Sequence, residues 1–219
     1  MDKKTIIFDY DGTLHNCAIV YQAAFLKVYD QLIEDGFARP RTFTDEEMNR
    51  WLGCSASDMW NTFMPQLSKK QQDDYSKLIG KYMNIYLHEG KARWYPCAME
   101  VIQRLKQEGY QLILLSNCST SYMEAHKSYF GLGDLFTGFY PCEKYQYIPK
   151  YEVFEIIKKE HPAEYVAVGD RFHDMELAKR HKLPFVGCLY GYGAKGELDG
   201  ADYQIQDIAA LPAILQRLV

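Results

Sequence analysis

The chain has 219 residues, of which 47% are hydrophobic and 25% are charged, and its formal net charge is −4. This composition is typical of a globular protein, and the length fits one large domain or a core domain with a smaller insert. No block of basic residues interrupts the sequence, so we expect neither a nucleic-acid partner nor attachment to an anionic membrane surface. No apolar stretch approaches the length of a transmembrane helix.

The cysteines are scattered without a Cys-x-x-Cys pair, and the apolar run near the N-terminus is too short for the core of a signal peptide. We therefore expect reduced thiols and a cytoplasmic location. Cys118 follows a polar motif described below, but no histidine is placed in the pattern to activate it as a nucleophile. We interpret it as a structural thiol.

Residues 16–90 differ from the rest of the chain, because they show helical periodicity and contain no convincing strand. Thr44 with Glu47 forms a capping box, and Ser68 is placed to cap the longest helix. We therefore expect an all-helical insert after the first strand, acting as a cap over the edge of a sheet. The predicted elements of this part are a strand at 6–8 and helices at 18–34, after Thr44, at 58–63 and from Ser68 to about residue 88.

From residue 91 onward, short apolar strands alternate with amphipathic helices. This alternation predicts an α/β fold with a mostly parallel sheet and helices on both faces. The domain prediction is an α/β core formed by residues 1–15 and 91–219, with the helical cap at 16–90. The predicted strands are 111–115, 137–140, 165–168, 184–189 and 202–205, and the predicted helices are 98–108, 121–130, 151–159, 173–181 and a C-terminal helix.

Two carboxylates, Asp9 and Asp11, directly follow the first strand and precede a turn at Gly12. In open α/β folds, ligands bind at the carboxyl edge of the sheet, where this pair is expected to lie. Taken alone, Asp-x-Asp-Gly is also typical of a polar turn or a calcium loop. An EF-hand loop needs further oxygen ligands, a closing glutamate and flanking helices, and this context supplies none of them. The pair can bind another cation, attack an electrophile or carry a proton.

Further polar residues follow other predicted strands along the chain. They are Ser116 and Asn117, then Lys150 between a strand and a helix, and then Asp170 and Asp174. Each alone has an ordinary structural interpretation, as a helix cap, a solvated cation or a turn. The carboxyl ends of parallel strands meet at one edge of a sheet, so this order predicts that these side chains gather around the first carboxylate pair.

This combination resembles the haloacid dehalogenase superfamily of phosphotransferases. The resemblance rests on FDYDGTLHN, LLSN, Lys150 and VGDRFHD in this order, and it spans nearly the whole chain. The helical insert and the segment WYPCAMEVIQRLKQEGYQLILLSN look like its phosphoglycolate-phosphatase-type branch. The resemblance implies a Rossmann-like core with a small all-α cap, and a phosphomonoester hydrolase that acts on a small phosphorylated metabolite.

The residues fit phosphoryl transfer, which depends mainly on positioning and on neutralising charge. Asp9 is the candidate nucleophile that forms an aspartyl-phosphate, and Asp11 is the candidate acid and base. Ser116 and Lys150 are expected to bind the phosphoryl oxygens, and Lys150 also pairs with Asp9. The remaining candidates for substrate binding are Gly12, Thr13 and Asn117.

A Mg²⁺ site is expected among the acidic residues, because this ion prefers oxygen ligands and keeps several waters. Asp9, the backbone carbonyl of Asp11 and Asp170 would supply the ligands. Asp174 would act through a water molecule or as an outer partner. The cation would lower the repulsion between an anionic nucleophile and an anionic phosphate.

The residue at position 11 separates chemistries within this superfamily. Dehalogenases that resemble it carry an aromatic residue there, phosphonatases carry an alanine, and P-type ATPases have the lysine-containing DKTGT. An acid at Asp11 therefore favours phosphate esters, and Thr13 followed by Leu14 favours a phosphatase over a sugar phosphomutase. A sugar phosphomutase and a binding module without catalytic activity are the alternatives. The presence of both Asp9 and Asp11 argues against an inactive protein.

Some positions depart from the pattern of this branch. Asn16 and Cys17 stand where Asp-Ser is common, which concerns the choice of substrate. Lys150 lies closer to Asp170 than is usual and precedes Tyr151 where proline is common, so Lys144 is a second candidate for the active-site lysine. His15 and His173 flank the site, and we expect each to be hydrogen-bonded or exposed. Residues 191–193 are expected to form a loop at the rim of the site.

Overall fold

The computed structural model describes residues 4–218; residues 1–3 and 219, the outermost parts of the predicted core, lie outside the described residues. The described residues form two compact units. One unit, here called the core unit, comprises residues 4–16 and 94–218, and the other, the helical unit, is Cys17–Arg93. No helix among the described residues is long and apolar enough to cross a membrane.

The helices and strands follow in the order β1 (Thr5–Phe8), β2 (His15–Asn16), α1 (Ala18–Glu34), α2 (Asp45–Asn49), α3 (Ala56–Phe63), α4 (Lys69–His88), β3 (Arg93–Trp94), α5 (Ala98–Gln107), β4 (Gln111–Ser116), α6 (Thr120–Phe130), β5 (Gly138–Pro141), α7 (Lys150–Glu160), β6 (Tyr165–Gly169), α8 (Phe172–His181), β7 (Phe185–Cys188), β8 (Tyr203–Ile205) and α9 (Leu211–Leu215). Short 3-10 helices occupy Leu132–Asp134, Cys142–Tyr145 and Ile208–Ala210.

The core unit is built on a six-stranded sheet with the order β5-β4-β1-β6-β7-β8. The pairings within it are parallel, and Phe8 at the end of β1 lies opposite Leu114 on one side and Val168 on the other. The predicted α/β fold with a mostly parallel sheet is therefore confirmed. Because β1 is central, the residues that follow it lie between the carboxyl ends of β4 and β6.

Both faces of the sheet are covered, which explains why its inner strands are apolar throughout. Successive side chains of a strand point to opposite faces. Phe8 packs in a buried cluster with residues of α5 and α9, whereas Ile7 packs in a second cluster with residues of α7 and α8. Full burial of one such side chain stabilises the fold by roughly 1.5–3 kcal/mol.

The helical unit has a separate core that is rich in aromatic side chains. Phe25 lies at the centre of a group of rings that includes Tyr29, Phe43 and Phe63, with centroids 5.0–6.2 Å from its own. Trp60 is fully buried, and its indole N–H donates to Ser76 Oγ at 2.7 Å. Helices α2 and α4 begin at the predicted N-caps Thr44 and Ser68. The capping box at Thr44 was predicted, and the structure adds one at Ser68.

The structure corrects the position of Lys150 and adds two strands. Lys150 does not lie in a connection but is the first residue of α7, because Pro149 occupies the N-cap position with extended ψ of 145° and the helix begins directly after it. Strands β2 and β3 were not predicted, since two-residue strands show no periodicity. The predicted C-terminal helix is the short α9.

Candidate active site

The carboxyl edge of the sheet collects the polar residues that follow its strands. Asp9 comes directly after β1, Ser116 ends β4, and Asp170 comes directly after β6. Lys150 at the start of α7 and Asp174 in the first turn of α8 extend this group. These five residues are all buried. The structure therefore brings together residues that are separated by more than 100 positions in the sequence.

Lys150 lies between two of the buried carboxylates. Its Nζ donates to Asp9 Oδ1 at 2.7 Å and to Asp174 Oδ1 at 2.6 Å, and the three side chains are only 3%, 3% and 6% exposed. Lys144, the other candidate, is exposed, and its Nζ lies 5.7 Å from the ring centroid of Tyr145. The lysine beside Asp9 is therefore Lys150.

The carboxylate oxygens of this group could hold a metal ion. One ligand oxygen each from Asp9, Asp170 and Asp174 lies within 4.8 Å of the others. When all three carboxylates are ionised, they outnumber the single ammonium of Lys150, and the group carries an excess of negative charge. Carboxylate oxygens are the donors that hard cations such as Mg²⁺ prefer, so the donor set and its charge fit such an ion.

Burial and mutual repulsion make these acids hard to ionise. Burial raises the pKa of Asp9 to about 7, the ammonium of Lys150 opposes this shift, and the charge of Asp174 adds to it. Burial together with the charges of Asp9 and Asp174 raises the pKa of Asp170 well above its usual range. Burial lowers the pKa of Lys150, but the charges of Asp174 and Asp9 outweigh it and hold the ammonium protonated.

Asp170 is enclosed by backbone and held at both oxygens. Tyr192 N–H donates to Asp170 Oδ2 at 2.7 Å, and Thr13 Oγ1 donates to Asp170 Oδ1 at 3.3 Å. A Cβ at Gly12, whose φ is +89°, would lie 2.2 Å from Asp170 Oδ2, and one at Gly191 would lie 2.3 Å from Asp170 Cβ. Glycine is therefore required at both positions, and the loop of residues 191–193 packs directly against Asp170.

Asp11 is bound by a different set of side chains. His15 Nδ1 lies 2.8 Å from Asp11 Oδ1, and Tyr122 OH donates to the same oxygen at 2.7 Å. Burial raises the pKa of Asp11, but the hydrogen bonds from His15 and Tyr122 lower it on balance. The ionised form is thus favoured, and this is the form that accepts a proton from water.

The other predicted positions have simpler surroundings. Asn117 lies in the turn between β4 and α6, directly after Ser116. Burial and the charge of Asp11 raise the pKa of the Cys118 thiol well above its usual range, so it stays protonated. His173 is half-buried, and its ring centroid lies 3.7 Å from that of Phe172. Of the two histidines expected to flank the site, His15 contacts the candidate catalytic residue Asp11.

Sequence reasoning missed the residues that reach the site from a distance. Tyr122 and His126 are four positions apart on α6 and therefore share one face of that helix. This spacing was visible in the sequence, but nothing local indicated that the face meets Asp11. Tyr190 OH donates to the backbone carbonyl of Thr13 at 2.8 Å, and this contact too had no local signal.

The fold and the site together define an α/β enzyme with an acidic, lysine-containing active site at the carboxyl edge of its sheet. The family model of haloacid dehalogenase-like hydrolases matches residues 6–188. The chain therefore belongs to this family, and the resemblance inferred from its motifs is confirmed.

Individual relatives agree with this assignment. A phosphoglycolate phosphatase from Haemophilus influenzae (strain 86-028NP) is 27% identical over 97% of this chain and 98% of its own length. Pyrophosphatase PpaX from Bacillus mycoides (strain KBAB4) is 22% identical over 100% of this chain and 99% of its own. The crystal structure of a predicted phosphoglycolate phosphatase from Haemophilus somnus 129pt has a TM-score of 0.82 at 21% identity, over 99% of both chains. Within the family, the chain is a phosphatase, as its sequence predicted.

Proposed function

We propose that this protein is a Mg²⁺-dependent phosphomonoester hydrolase that acts on a small phosphorylated metabolite through an aspartyl-phosphate on Asp9. The observation that carries the proposal is the position of Asp9. Its carboxylate follows the central strand, bonds Lys150 at 2.7 Å and shares a group of oxygens within 4.8 Å with Asp170 and Asp174. An ionised carboxylate held in this way is a nucleophile for phosphorus.

In the first half of the reaction, a carboxylate oxygen of Asp9 bonds to phosphorus while the bond to the leaving oxygen breaks. Asp11, protonated at the start of this step, donates that proton to the leaving oxygen and becomes ionised. In the second half, Asp11 takes a proton from the water that attacks the aspartyl-phosphate, and phosphate leaves. Ser116 and Lys150 stabilise the charge that develops on the phosphoryl oxygens. Gly12, Thr13 and Asn117 complete the loops around the phosphate.

Asp9, Asp170 and the backbone carbonyl of Asp11 would hold Mg²⁺, and the donor types support this. When bound, the cation would neutralise charge on the nucleophile and the phosphate. Asp174 accepts from Lys150 Nζ at 2.6 Å and from Arg171 N–H at 3.2 Å, which supports a role as an orienting outer partner. The excess negative charge of the group supports a divalent rather than a monovalent ion.

The substrate class is proposed from the relatives and from the chain's own organisation. Relatives named for phosphoglycolate and for pyrophosphate support a small phosphate compound. We assign the choice among such compounds to the helical unit Cys17–Arg93, acting as a cap. The reaction is proposed to take place in the cytoplasm.

A phosphatase screen tests the proposal. The purified protein is incubated with a panel of phosphate esters and with pyrophosphate, in Mg²⁺ or in EDTA, with Asp9→Asn as the control variant. Sustained phosphate release in Mg²⁺, lost in EDTA and in Asp9→Asn, is the expected result. Full activity of Asp9→Asn would refute the role of Asp9. Transfer of phosphate between sugars without net release would identify a mutase instead.

A second measurement tests the intermediate. Brief reaction with a phosphorus-labelled substrate followed by acid quench should leave label on the protein. Hydroxylamine should release this label, because it cleaves acyl phosphates. Label that resists hydroxylamine, or that persists in Asp9→Asn, would contradict an aspartyl-phosphate at this position.

A further inference from the structure

The carboxylate of Asp11 is held at one oxygen by two side chains from different parts of the core unit. His15 comes from β2, and Tyr122 comes from the first turn of α6. Both contacts reach Oδ1, at 2.8 Å from His15 Nδ1 and 2.7 Å from Tyr122 OH. The two partners also lie 3.2 Å from each other, so the three groups form a closed triangle.

The surroundings of His15 fix which nitrogen carries its proton. The ring is completely buried, and its Nε2 has no hydrogen-bond partner within residues 4–218. The ionised carboxylate of Asp11 can only accept hydrogen bonds, so the 2.8 Å contact with its Oδ1 requires a proton on His15 Nδ1. The tautomer with the proton on Nδ1 avoids a bare N–H and donates to Asp11. Oδ1 thus accepts from both His15 and Tyr122.

His15 has little freedom to turn away from Asp11. Its ring is stacked on Tyr10, with centroids 5.3 Å apart and planes 13° apart, and it meets His126 edge-on at 4.7 Å. Tyr10 OH is itself fixed, since it lies 2.9 Å from His126 Nδ1 and accepts from Trp94 Nε1 at 3.2 Å. Close packing on both sides therefore holds the imidazole in one orientation.

Holding Oδ1 also decides where the second oxygen points. The terminal torsion of an aspartate is broad and roughly two-fold, so an unheld carboxylate samples many orientations. With Oδ1 held from two directions, Oδ2 has a fixed direction, and no protein group within the described residues hydrogen-bonds to it. Proton transfer needs about 2.6–3.2 Å between heavy atoms, and a misplacement of about 1 Å costs on the order of 100-fold in rate.

We propose that His15 and Tyr122 are positioning residues that hold Oδ1 of Asp11, so that Oδ2 exchanges the proton with the leaving oxygen and with water. This inference rests on the proposed function, in which Asp11 is the acid and base. His15 and Tyr122 do not touch the reacting atoms in this scheme. They act through Asp11 alone, which gives their variants a distinctive kinetic signature.

The signature comes from comparing two esters. p-Nitrophenyl phosphate has a good leaving group that departs without a proton, so its kcat/KM does not depend on Asp11 as an acid. An alkyl phosphate has a poor leaving group that needs the proton. Hydrolysis of the intermediate needs Asp11 as a base for either ester, and this step enters kcat.

Three variants at the two positions carry the test. His15→Leu removes the donor, Tyr122→Phe removes a single oxygen, and His15→Asn keeps an N–H in the place of Nδ1. For the alkyl phosphate, we expect His15→Leu to lower kcat/KM by about 10- to 100-fold, within the range of acid–base catalysis. For p-nitrophenyl phosphate, the kcat/KM of His15→Leu should stay within about threefold of the wild-type value, whereas its kcat should fall. The reaction should begin with a burst of one nitrophenolate per active site.

Tyr122→Phe should show the same difference between the two esters, with kcat/KM for the alkyl phosphate lowered about tenfold. This is the loss expected for one hydrogen bond to a charged group. His15→Asn should recover most of the lost rate. Tyr129→Phe on the same helix and His161→Leu, whose ring bonds Tyr140 at 2.9 Å, are the matched controls and should match the wild type. Melting curves of every variant report whether it is folded.

The outcomes separate this inference from the proposed function. An equal loss of kcat/KM for both esters, or no loss in Tyr122→Phe and in a folded His15 variant, overturns the positioning role. Failure of His15→Asn to recover activity, although it is folded, also argues against it. Absence of Asp9-dependent phosphate release from the wild type instead overturns the proposed function itself.

Discussion

The substitution Asp9→Asn is expected to stabilise the metal-free protein at alkaline pH while it abolishes activity. Asp9 is buried beside Asp174 and Asp170, and its pKa is raised from 3.8 to about 7. Asparagine keeps the shape and an oxygen that accepts from Lys150 Nζ, but it cannot ionise. The variant therefore removes a buried charge without opening a cavity.

The sign of the effect follows from the direction of the pKa shift. Between about pH 4 and about pH 7, the native state keeps a proton on Asp9 that the unfolded chain has lost. Stability falls with rising pH wherever the native state binds more protons, by about 1.4 kcal/mol per pH unit for one group. Below pH 4 both states are protonated, and above pH 7 both are ionised, so the loss is confined to this window.

Between about pH 5 and about pH 8, the free energy of unfolding of the wild type should fall by about 3 kcal/mol more than that of Asp9→Asn. In a protein of this size, 1 kcal/mol corresponds to about 2–4 °C in Tm, so the gap in Tm should widen by about 6–12 °C. Thermal unfolding of both proteins in EDTA, over a series of pH values, measures this gap. Contributions from groups remote from Asp9 cancel in the difference. The charge of Asp9 also helps to raise the pKa of Asp170, so its removal adds to the gap in the same direction.

Mg²⁺ provides the complementary measurement. The cation should raise the Tm of the wild type at about pH 8, because it binds the native state and compensates the buried charges. Asp9→Asn, with one anionic ligand fewer, should gain less. A gap in Tm that is the same at both ends of the pH series would show that Asp9 ionises as freely in the folded protein as in the unfolded chain, and would refute the reasoning.

Three further substitutions test other parts of the site. Lys150→Met should lower the free energy of unfolding in metal-free buffer by about 3–5 kcal/mol, since it leaves buried carboxylates without their partner, whereas Lys144→Met at an exposed position should change it by about 0.5 kcal/mol or less in urea titrations. Gly12→Ala places a Cβ 2.2 Å from Asp170 Oδ2 and should weaken both activity and the Mg²⁺ binding measured by calorimetric titration. The control Gly36→Ala, at a φ of +79° with no atom within 4 Å of its Cβ, should lower stability but leave Mg²⁺ binding unchanged. Cys118→Ala should keep its phosphatase rate, because the thiol is protonated and structural; a loss of more than about tenfold would assign it a chemical role.

Much of the core could be predicted because its signals are local. The alternation of apolar strands and amphipathic helices after residue 91 follows from side-chain periodicity, and it predicted the parallel sheet. The capping box at Thr44 and the N-cap at Ser68 were predicted, because their hydrogen bonds span a single helical turn. Two-residue strands such as β2 lie below the length at which periodicity can be detected, so they were missed.

The same division applies to the site. Its residues at strand ends, among them Asp9, Ser116 and Asp170, were predicted because parallel strands bring their carboxyl ends to one edge. The choice between Lys144 and Lys150 was open, since sequence spacing does not say which side chain turns inward. The start of α7 directly after Pro149 is what carries Lys150 to Asp9.

The sequence by itself determined which polar residues follow each strand and where the glycine turn after Asp11 lies. These residues were enough to indicate phosphoryl-transfer chemistry. Only the tertiary structure decided the electrostatics and the partners. Burial raises the pKa of Asp9 to about 7, and it is a property of the packed core that no local pattern contains. Tyr122 reaches Asp11 across 111 positions, because α6 packs with one particular face toward the sheet edge. Only folding brings these two residues together. Helical periodicity predicts which face of α6 carries Tyr122, but it does not predict which residues that face contacts.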